Sequence, residues 1–118
     1  MSDKATTSFM RSLCMGQIEQ DVLFPFPTMP ADQQEMIHDI AGALEGLLGP
    51  RAEEFRQWDV EGDMPAEFLE ELRAFGLFGL IIPEEHGGMA LGNMAYSRTL
   101  QEVGRYDASV AVTIGAHS

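Results

Sequence analysis

Apolar residues along this chain recur with the spacing of an α-helix in several separate stretches. In the longest, they fall at i, i+1, i+4, i+5, i+8, i+11 and i+12 and form one helical face. They are Met36, Ile37, Ile40, Ala41, Leu44, Leu47 and Leu48. Asp32 and Glu35 have the spacing of a capping box and predict the start of this helix. Gly49 and Pro50 then predict a kink before the apolar face resumes at Phe55.

Two shorter helices are predicted further along the chain. The second begins near Pro65, a residue favoured in a first turn. The third begins after Asn93, which can act as its cap. Their apolar stripes consist of Phe68, Leu69, Leu72 and Phe75 in the second helix and of Tyr96, Leu100 and Val103 in the third. From the three stripes we predict a core that contains Leu44, Leu48, Phe68, Leu72, Leu100 and Val103.

The last segment, residues 108–118, is almost entirely apolar, and Asp107 is placed to cap it as a helix. Its only titratable side chain is His117, so such a helix should be buried, and we expect that these 118 residues cannot cover it completely. No stop signal follows Gly115, and we therefore expect the chain to be cut within a helix and to continue in a longer protein. No strand signal of comparable strength occurs. The pattern predicts an all-α fold, an orthogonal helical bundle of about four main helices with an extended N-terminal arm.

The arm is predicted to span residues 1–31. Its first part, Ser8 to Ile18, has near-helical apolar spacing, but the two X-Pro pairs of Phe24-Pro25-Phe26-Pro27 prevent a helix there. We expect the aromatic side chains of the arm to cover a groove of the helical domain. The alternative is that the arm docks onto a partner.

A turn connects the second and third helices. Gly76 can adopt the left-handed conformation that closes a helix, and Ile82 before Pro83 is biased to an extended form. The pair Gly87-Gly88 permits a sharp turn. The neighbouring Glu84 and Glu85 should point apart into solvent, which argues against a pair of catalytic carboxylates.

Composition excludes several classes of function. The 118 residues suffice for one domain, and the net charge of −12 argues against binding to nucleic acid or to an anionic membrane surface. The single Cys14 suggests a reducing compartment, and Met1–Thr7 has neither a basic nor an apolar targeting segment. We therefore expect a cytoplasmic protein.

Motifs for common chemistries are also missing from the sequence. His38, His86 and His117 lack the spacing of metal ligands. The glycines after His86 do not have the spacing of a dinucleotide fingerprint, and no nucleophile elbow or phosphate loop is present. Residue chemistry alone therefore predicts a helical domain of unknown role.

Three blocks of sequence nevertheless resemble one family. Residues 76–92, GLFGLIIPEEHGGMALG, are similar to a signature of the acyl-CoA dehydrogenases, except that Ala90 stands where the family often has glycine. Residues 113–118, TIGAHS, resemble a sequence motif of the family's long-chain members. Residues 8–27 look like an extension found on the very-long-chain branch. Together the three blocks run through almost the whole chain.

The resemblance implies an FAD-dependent oxidoreductase that performs α,β-dehydrogenation of long-chain fatty acyl-CoA, the first step of β-oxidation. In the family a glutamate base and nearly all flavin contacts belong to a middle β domain and a C-terminal helical domain. Residues 32–118 would be the N-terminal helical domain, truncated before the middle β domain, so no catalytic, cofactor-binding or metal-binding residue is assigned here. Electron-transfer flavoprotein would be the electron acceptor, and the full-length protein a homodimer or homotetramer. The 118-residue piece alone should be inactive.

The resemblance also implies a role for the last helix as the floor of the acyl pocket, lined by Ala111, Val112, Ile114 and Gly115. Ala111 and Gly115 stand at i and i+4, and two such small side chains would leave a channel open for long acyl chains. The alternative is that they only let another helix approach closely. For the whole protein, the alternatives are an acyl-CoA oxidase or a stand-alone helical interaction module without catalysis.

Overall fold

The computed structural model describes residues 8–118, and the prediction about targeting in Met1–Thr7 lies outside them. Within this range the chain is helical and has no strand, so the all-α prediction is confirmed. Seven α-helices occur between residues 8 and 118: α1 Phe9–Cys14, α2 Gln20–Leu23, α3 Ala31–Leu48, α4 Ala52–Glu61, α5 Ala66–Ala74, α6 Asn93–Gly104 and α7 Ala108–His117. Short 3₁₀ turns lie at Gly49–Arg51, Leu77–Gly79 and Glu84–His86.

The core lies where α6 packs between α3 and α7, with α5 and the turn after it closing one side. The apolar stripes of the helices meet there because each helix can remove its apolar face from water only against another. Five of the six predicted core residues are almost completely buried: Leu44, Leu48, Phe68, Leu72 and Val103. Leu100 differs, since it is only half-buried and packs at the edge of the core.

Two of the three predicted helix caps are wrong. Helix α3 begins at Ala31 with Pro30 in the cap position, and no side chain caps it, so Asp32 lies inside the first turn. Helix α6 begins at Asn93 itself, with Gly92 as the cap. Pro30 and Gly92, the residues before the two helices, have extended ψ angles of 146° and 164°, so each helix begins directly after them. The Asp107 cap is confirmed, because its Oδ1 accepts a hydrogen bond of 2.8 Å from the Val110 N–H.

The helix is interrupted at the predicted place, between α3 and α4. The chain passes through Pro50 as a 3₁₀ turn, and α4 resumes at Ala52. Arg51 holds this junction against α5, because its guanidinium forms an ion pair of 2.5 Å with Glu71 and lies 5.0 Å from the ring centroid of Phe68. A guanidinium can stack on an aromatic ring and pair with a carboxylate at the same time.

The N-terminal arm does not cover a groove of the described chain, and that prediction is wrong. Phe24 and Phe26 are 56% and 66% exposed and pack against each other, with ring centroids 4.6 Å apart. The other large apolar side chains exposed on the arm are Met10, Leu13, Met15, Ile18 and Val22. Helices α1 and α2 have six and four residues, too few to present a continuous apolar face to the domain. A docking role for the arm stays a prediction.

Candidate functional site

The turn that carries the family signature is a compact loop closed by backbone hydrogen bonds. After α5 the chain reverses at Gly76, which has a φ of +87° as its sequence predicts. Residues 79–82 then lie beside residues 89–91. The N–H groups of Met89, Ala90 and Leu91 donate to the carbonyls of Gly79, Ile82 and Leu80 at 2.8, 2.9 and 2.8 Å. Satisfied backbone groups of this kind hold the loop in one conformation.

Two residues in this loop depend on small side chains. A Cβ atom on Gly88 would lie 2.0 Å from the carbonyl oxygen of Ile82, so any larger residue would displace the backbone. Ala90 has a φ of +50°, a left-handed conformation that glycine adopts without strain. The glycine that relatives of the resembled family often have at this position therefore matches the backbone better than alanine does.

The loop supports helix α7. Leu77, Leu80 and Leu91 are buried in the common core. The Ser118 hydroxyl lies within hydrogen-bond distance of two carbonyls, that of Ile114 in α7 at 2.9 Å and that of Leu77 in the loop at 3.1 Å. The ring of Phe78 lies edge-on to that of His117, with centroids 5.2 Å apart. The loop thus fixes the C-terminal end of α7, while the Asp107 cap fixes its N-terminal end.

Helix α7 is buried on one side only. Val110 and Ile114 are completely buried, in agreement with the prediction that this apolar helix belongs to the core. The opposite side carries Ala108, Val112 and Ala116 at i, i+4 and i+8, all of them exposed, and Val112 is 71% exposed. This exposed, uncharged stripe is called the outer face of α7 below.

The four residues predicted to line an acyl pocket lie on different sides of α7. Val112 is on the outer face, and Ile114 is completely buried in the core. Ala111 and Gly115 are half-buried and face α6. Their position matches the alternative interpretation, close approach of two helices, and the lining of a pocket stays a prediction for all four.

Contacts across the interface of α6 and α7 were not anticipated from the sequence. The Tyr96 hydroxyl donates a hydrogen bond of 3.4 Å to the carbonyl of Gly115. A Cβ atom on Gly115 would lie 3.5 Å from Leu100 Cδ1 and 3.7 Å from the Tyr96 oxygen. The i, i+4 spacing of Tyr96 and Leu100 was visible as part of a helical stripe, but the residues opposite them were not.

The polar candidates of the sequence lie apart at the surface. Glu84, Glu85 and His86 are all exposed on one 3₁₀ turn, and His86 Nε2 lies 3.5 Å from Glu85 Oε1. His38 and His117 are exposed on other helices. Among residues 8–118, no group of three or more histidine, cysteine, aspartate or glutamate side chains is placed to hold a metal ion.

The half-open pocket beside α7 does not suit a flavin dinucleotide. It has a volume of about 220 Å³ and is lined by Phe55 and Trp58 together with the carboxylates of Asp59, Asp63 and Asp107. Three carboxylates would repel the pyrophosphate of FAD, which requires donors or cations. We therefore assign no residue of the described chain to flavin binding.

Among the helices of residues 8–118, none is long and apolar enough to cross a membrane.

Cations near the interface of α6 and α7 are paired. Glu102 forms ion pairs with Arg105 at 2.7 Å and with Arg98 at 3.8 Å. The hydrogen bond from Arg105 to Glu102 raises the pKa of the guanidinium, and the negative charge of Glu102 acts in the same direction. The Arg105 side chain is exposed, and this pair contributes little to stability.

Comparison with known proteins gives consistent matches. A family model described as "Acyl-CoA dehydrogenase, N-terminal domain" matches residues 30–118. The chain is 34% identical over 116 residues to the very long-chain specific acyl-CoA dehydrogenase, mitochondrial, of Mus musculus, a match that covers 93% of this chain and 17% of the relative. The protein of the same name from Bos taurus is 32% identical over 123 residues, with 98% and 18% covered.

A bacterial relative shows the same extent of similarity. The probable acyl-CoA dehydrogenase FadE10 of Mycobacterium tuberculosis (strain ATCC 25618 / H37Rv) is 28% identical over 118 residues, which cover 93% of this chain and 17% of the relative. The chain thus spans about one sixth of the length of the curated relatives it matches. Coverage of 93% is more than residues 30–118 supply, so these matches extend into the N-terminal arm.

Proposed function

Because the chain belongs to the acyl-CoA dehydrogenase family through its N-terminal domain, we propose that it works within a full-length dehydrogenase of long-chain fatty acyl-CoA. The observation that carries the proposal is the match of residues 30–118 to the domain model, together with very-long-chain relatives whose similarity continues into the arm. The proposed reaction is the α,β-dehydrogenation of the acyl thioester in fatty acid β-oxidation.

The role proposed for this domain is structural within the active site. Its described residues include no group that we assign to proton or hydride transfer. FAD, bound by other parts of the full-length protein, would supply the oxidising chemistry by accepting the hydride from the β carbon. Helix α7 would form one wall of the acyl pocket and, with its outer face, exclude water from it. A dry site matters because electrostatic stabilisation of an enolate is stronger where water is excluded.

Further features of the whole protein belong to the same proposal. Electron-transfer flavoprotein would reoxidise the flavin, the full-length protein would be a homodimer or homotetramer, and it would reside in the cytoplasm. Support for the location comes from the single cysteine, since few cysteines are typical of a reducing compartment. Separating cell fractions and probing for the native protein tests the location directly.

The activity is tested on the full-length protein with a series of acyl-CoA substrates and an artificial electron acceptor under anaerobic conditions. We expect a yellow protein that forms the trans-2-enoyl-CoA fastest with long acyl chains. Rapid turnover with oxygen and release of hydrogen peroxide would instead identify an acyl-CoA oxidase. Failure to oxidise any acyl-CoA while flavin is bound would refute the proposed reaction.

A second candidate function is favoured by the exposed apolar side chains of the arm. A stand-alone helical interaction module would bind a partner through these residues, among them Phe24 and Phe26. The reading frame of the gene distinguishes the two functions. A reading frame that continues into a β domain and a second helical domain supports the dehydrogenase, and one without them supports the module.

A further inference from the structure

The half-open pocket beside α7 combines buried aromatic side chains with exposed carboxylates. Its volume is about 220 Å³. Phe55 is almost completely buried and Trp58 is half-buried, and both belong to α4. Asp59 and Asp63 are exposed beside them, and Asp107 adds a third carboxylate at the start of α7. Pockets for drug-sized ligands are larger, so this one suits a group about the size of the end of a side chain.

The carboxylates of the pocket are not paired with a cation inside residues 8–118. Neither Asp59 nor Asp63 takes part in any ion pair of these residues. Asp107 accepts the Val110 N–H, and a carboxylate can accept further hydrogen bonds. Within the same range, no three carboxylates lie close enough together to hold a metal ion. An organic cation is larger than a metal ion and can reach more than one of the three.

The aromatic cluster of this pocket already binds one guanidinium. The rings of Phe55, Trp58 and Phe68 pack together, with centroids 5.0 to 5.7 Å apart. The Arg51 guanidinium lies 5.0 Å from the centroid of Phe68 and pairs with Glu71 at 2.5 Å. A guanidinium is planar, so it stacks on a ring while its N–H groups bind a carboxylate. The pocket offers the same two components, and no cationic side chain is among its lining residues.

We propose that this pocket binds a guanidinium group, stacked on Trp58 and donating hydrogen bonds to Asp59 and Asp63. Tryptophan gives the strongest cation–π contact of the aromatic residues. The guanidinium belongs either to an arginine side chain of a polypeptide or to a small guanidine compound, and the recognition chemistry is the same. The proposal does not depend on the proposed function, because it assumes nothing about acyl-CoA or flavin.

The experiment measures the binding of small probes to the full-length protein by saturation-transfer difference NMR. Butylguanidinium is the main probe. N-Butylurea has the same planar shape without the charge, and butylammonium has the charge without the planar group. We expect saturable binding of butylguanidinium and about two- to fivefold weaker binding of the other two, the factor that one exposed cation–π contact or ion pair provides.

A peptide distinguishes the two sources of the guanidinium. The peptide is glycine-arginine-glycine with acetylated and amidated ends, so its only charge is the guanidinium. Tighter binding of this peptide than of butylguanidinium supports an arginine side chain of a polypeptide as the ligand. Tighter binding of butylguanidinium supports a small guanidine compound.

Exposed positions provide variants that should fold normally. Asp59→Asn and Asp63→Asn each remove one charge from the pocket and should weaken binding about two- to fivefold. Glu61→Gln is the matched control, because Glu61 is exposed at the end of the same helix but does not line the pocket. Trp58→Leu removes the aromatic contact and should weaken binding by a similar factor. If Trp58→Leu fails to fold, the two aspartate variants still decide the question.

The outcomes concern the pocket alone. Saturable binding of butylguanidinium that weakens in Asp59→Asn and Asp63→Asn, but not in Glu61→Gln, supports the proposal. An equal loss in Glu61→Gln would mean that the overall negative charge attracts the cation, and this result overturns it. Absence of saturable binding, or binding of N-butylurea or butylammonium as tight as that of butylguanidinium, overturns it as well. Oxidation of acyl-CoA by the same protein tests the proposed function separately.

Discussion

Ala90 is a single residue whose backbone conformation disagrees with its side chain. Its φ is +50°, and a non-glycine residue in this region costs about 1–2 kcal/mol. We predict that Ala90→Gly stabilises the protein by about 0.5–1 kcal/mol, after allowing for the greater freedom of glycine in the unfolded chain. Urea unfolding of the full-length protein or of this domain measures the difference.

Ala43→Gly provides the matched control for that substitution. Ala43 is exposed inside α3 with ordinary helical geometry, so the same change there should destabilise by about 1 kcal/mol. Opposite signs at the two positions would attribute the effect to the left-handed backbone. A destabilised Ala90→Gly would show that alanine is not strained in the loop.

Gly88 should tolerate no side chain, for a steric reason. A Cβ atom would lie 2.0 Å from the Ile82 carbonyl oxygen, so Gly88→Ala must shift the backbone of the loop and should cost at least about 2 kcal/mol. Gly46→Ala is the control, since nothing lies within 4 Å of a Cβ on that helical residue. The control should be more stable by about 1 kcal/mol in thermal or urea unfolding. Equal effects of the two variants would contradict the steric argument.

Sequence alone indicated a sharp turn at Gly87-Gly88 but not the different reasons for the two glycines. Gly87 has a φ of +82°, which a turn signal can suggest. Gly88 is required by the position of Ile82 across the loop, and that distance depends on the three-dimensional structure. The same is true of Ala90, whose left-handed backbone conformation occurs together with a hydrogen bond from its N–H to the Ile82 carbonyl across the loop.

At the scale of the elements, the cap of α7 is the terminal interaction that both sequence and structure support. Asp107 Oδ1 accepts the Val110 N–H at 2.8 Å, so Asp107→Ala should destabilise the protein by about 1 kcal/mol. Asp107→Asn should retain most of this stability, because an amide oxygen can accept the same hydrogen bond. Thermal unfolding of the three proteins measures the effect.

Asp32→Ala serves as the control for the cap. Asp32 lies in the first turn of α3 but makes no capping hydrogen bond, so its removal should cost less than that of Asp107. If the two alanine variants lost equal stability, charge near the helix dipole rather than the cap would explain both.

Helix existence was predictable from the sequence, whereas helix starts were less so. The apolar stripes of α3, α5 and α6 extend over several turns, and burial of these stripes determines where the helices pack. A start depends on one or two residues, and Pro30 and Gly92 replaced the predicted caps Asp32 and Asn93. At the start of α3 several polar residues follow Pro30 closely, which made the sequence signal for the cap ambiguous. The Arg51 contact with Phe68 and Glu71 could not be predicted, because 20 residues separate Arg51 from Glu71.

For the whole molecule, the sequence predicted that helix α7 is apolar all round and that these 118 residues cannot cover it completely. The outer face of α7 is exposed, as this prediction requires. The arm was expected to cover the domain, and its aromatic side chains are exposed as well. Hydrophobic periodicity shows that a side chain avoids water without showing what it packs against.

The exposed surfaces lead to a prediction about the isolated chain of residues 1–118. Ala108, Val112 and Ala116 form a continuous uncharged stripe, and each Å² of apolar area that is buried contributes roughly 25 cal/mol. We expect the isolated chain to self-associate at micromolar concentrations and to remain colourless after incubation with FAD. Sedimentation velocity at several concentrations measures the first property, and absorbance of the dialysed protein measures the second.

Two polar substitutions locate the surface that causes association. Val112→Ser interrupts the outer face of α7, and we expect it to lower the associated fraction. Val60→Ser is the control, because Val60 is 87% exposed on α4 with charged neighbours rather than an apolar stripe, and single exposed apolar residues are common on protein surfaces. An equal decrease in both variants would mean that overall hydrophobicity drives association. A wild-type chain that stays monomeric would show that the outer face of α7 does not need a partner surface.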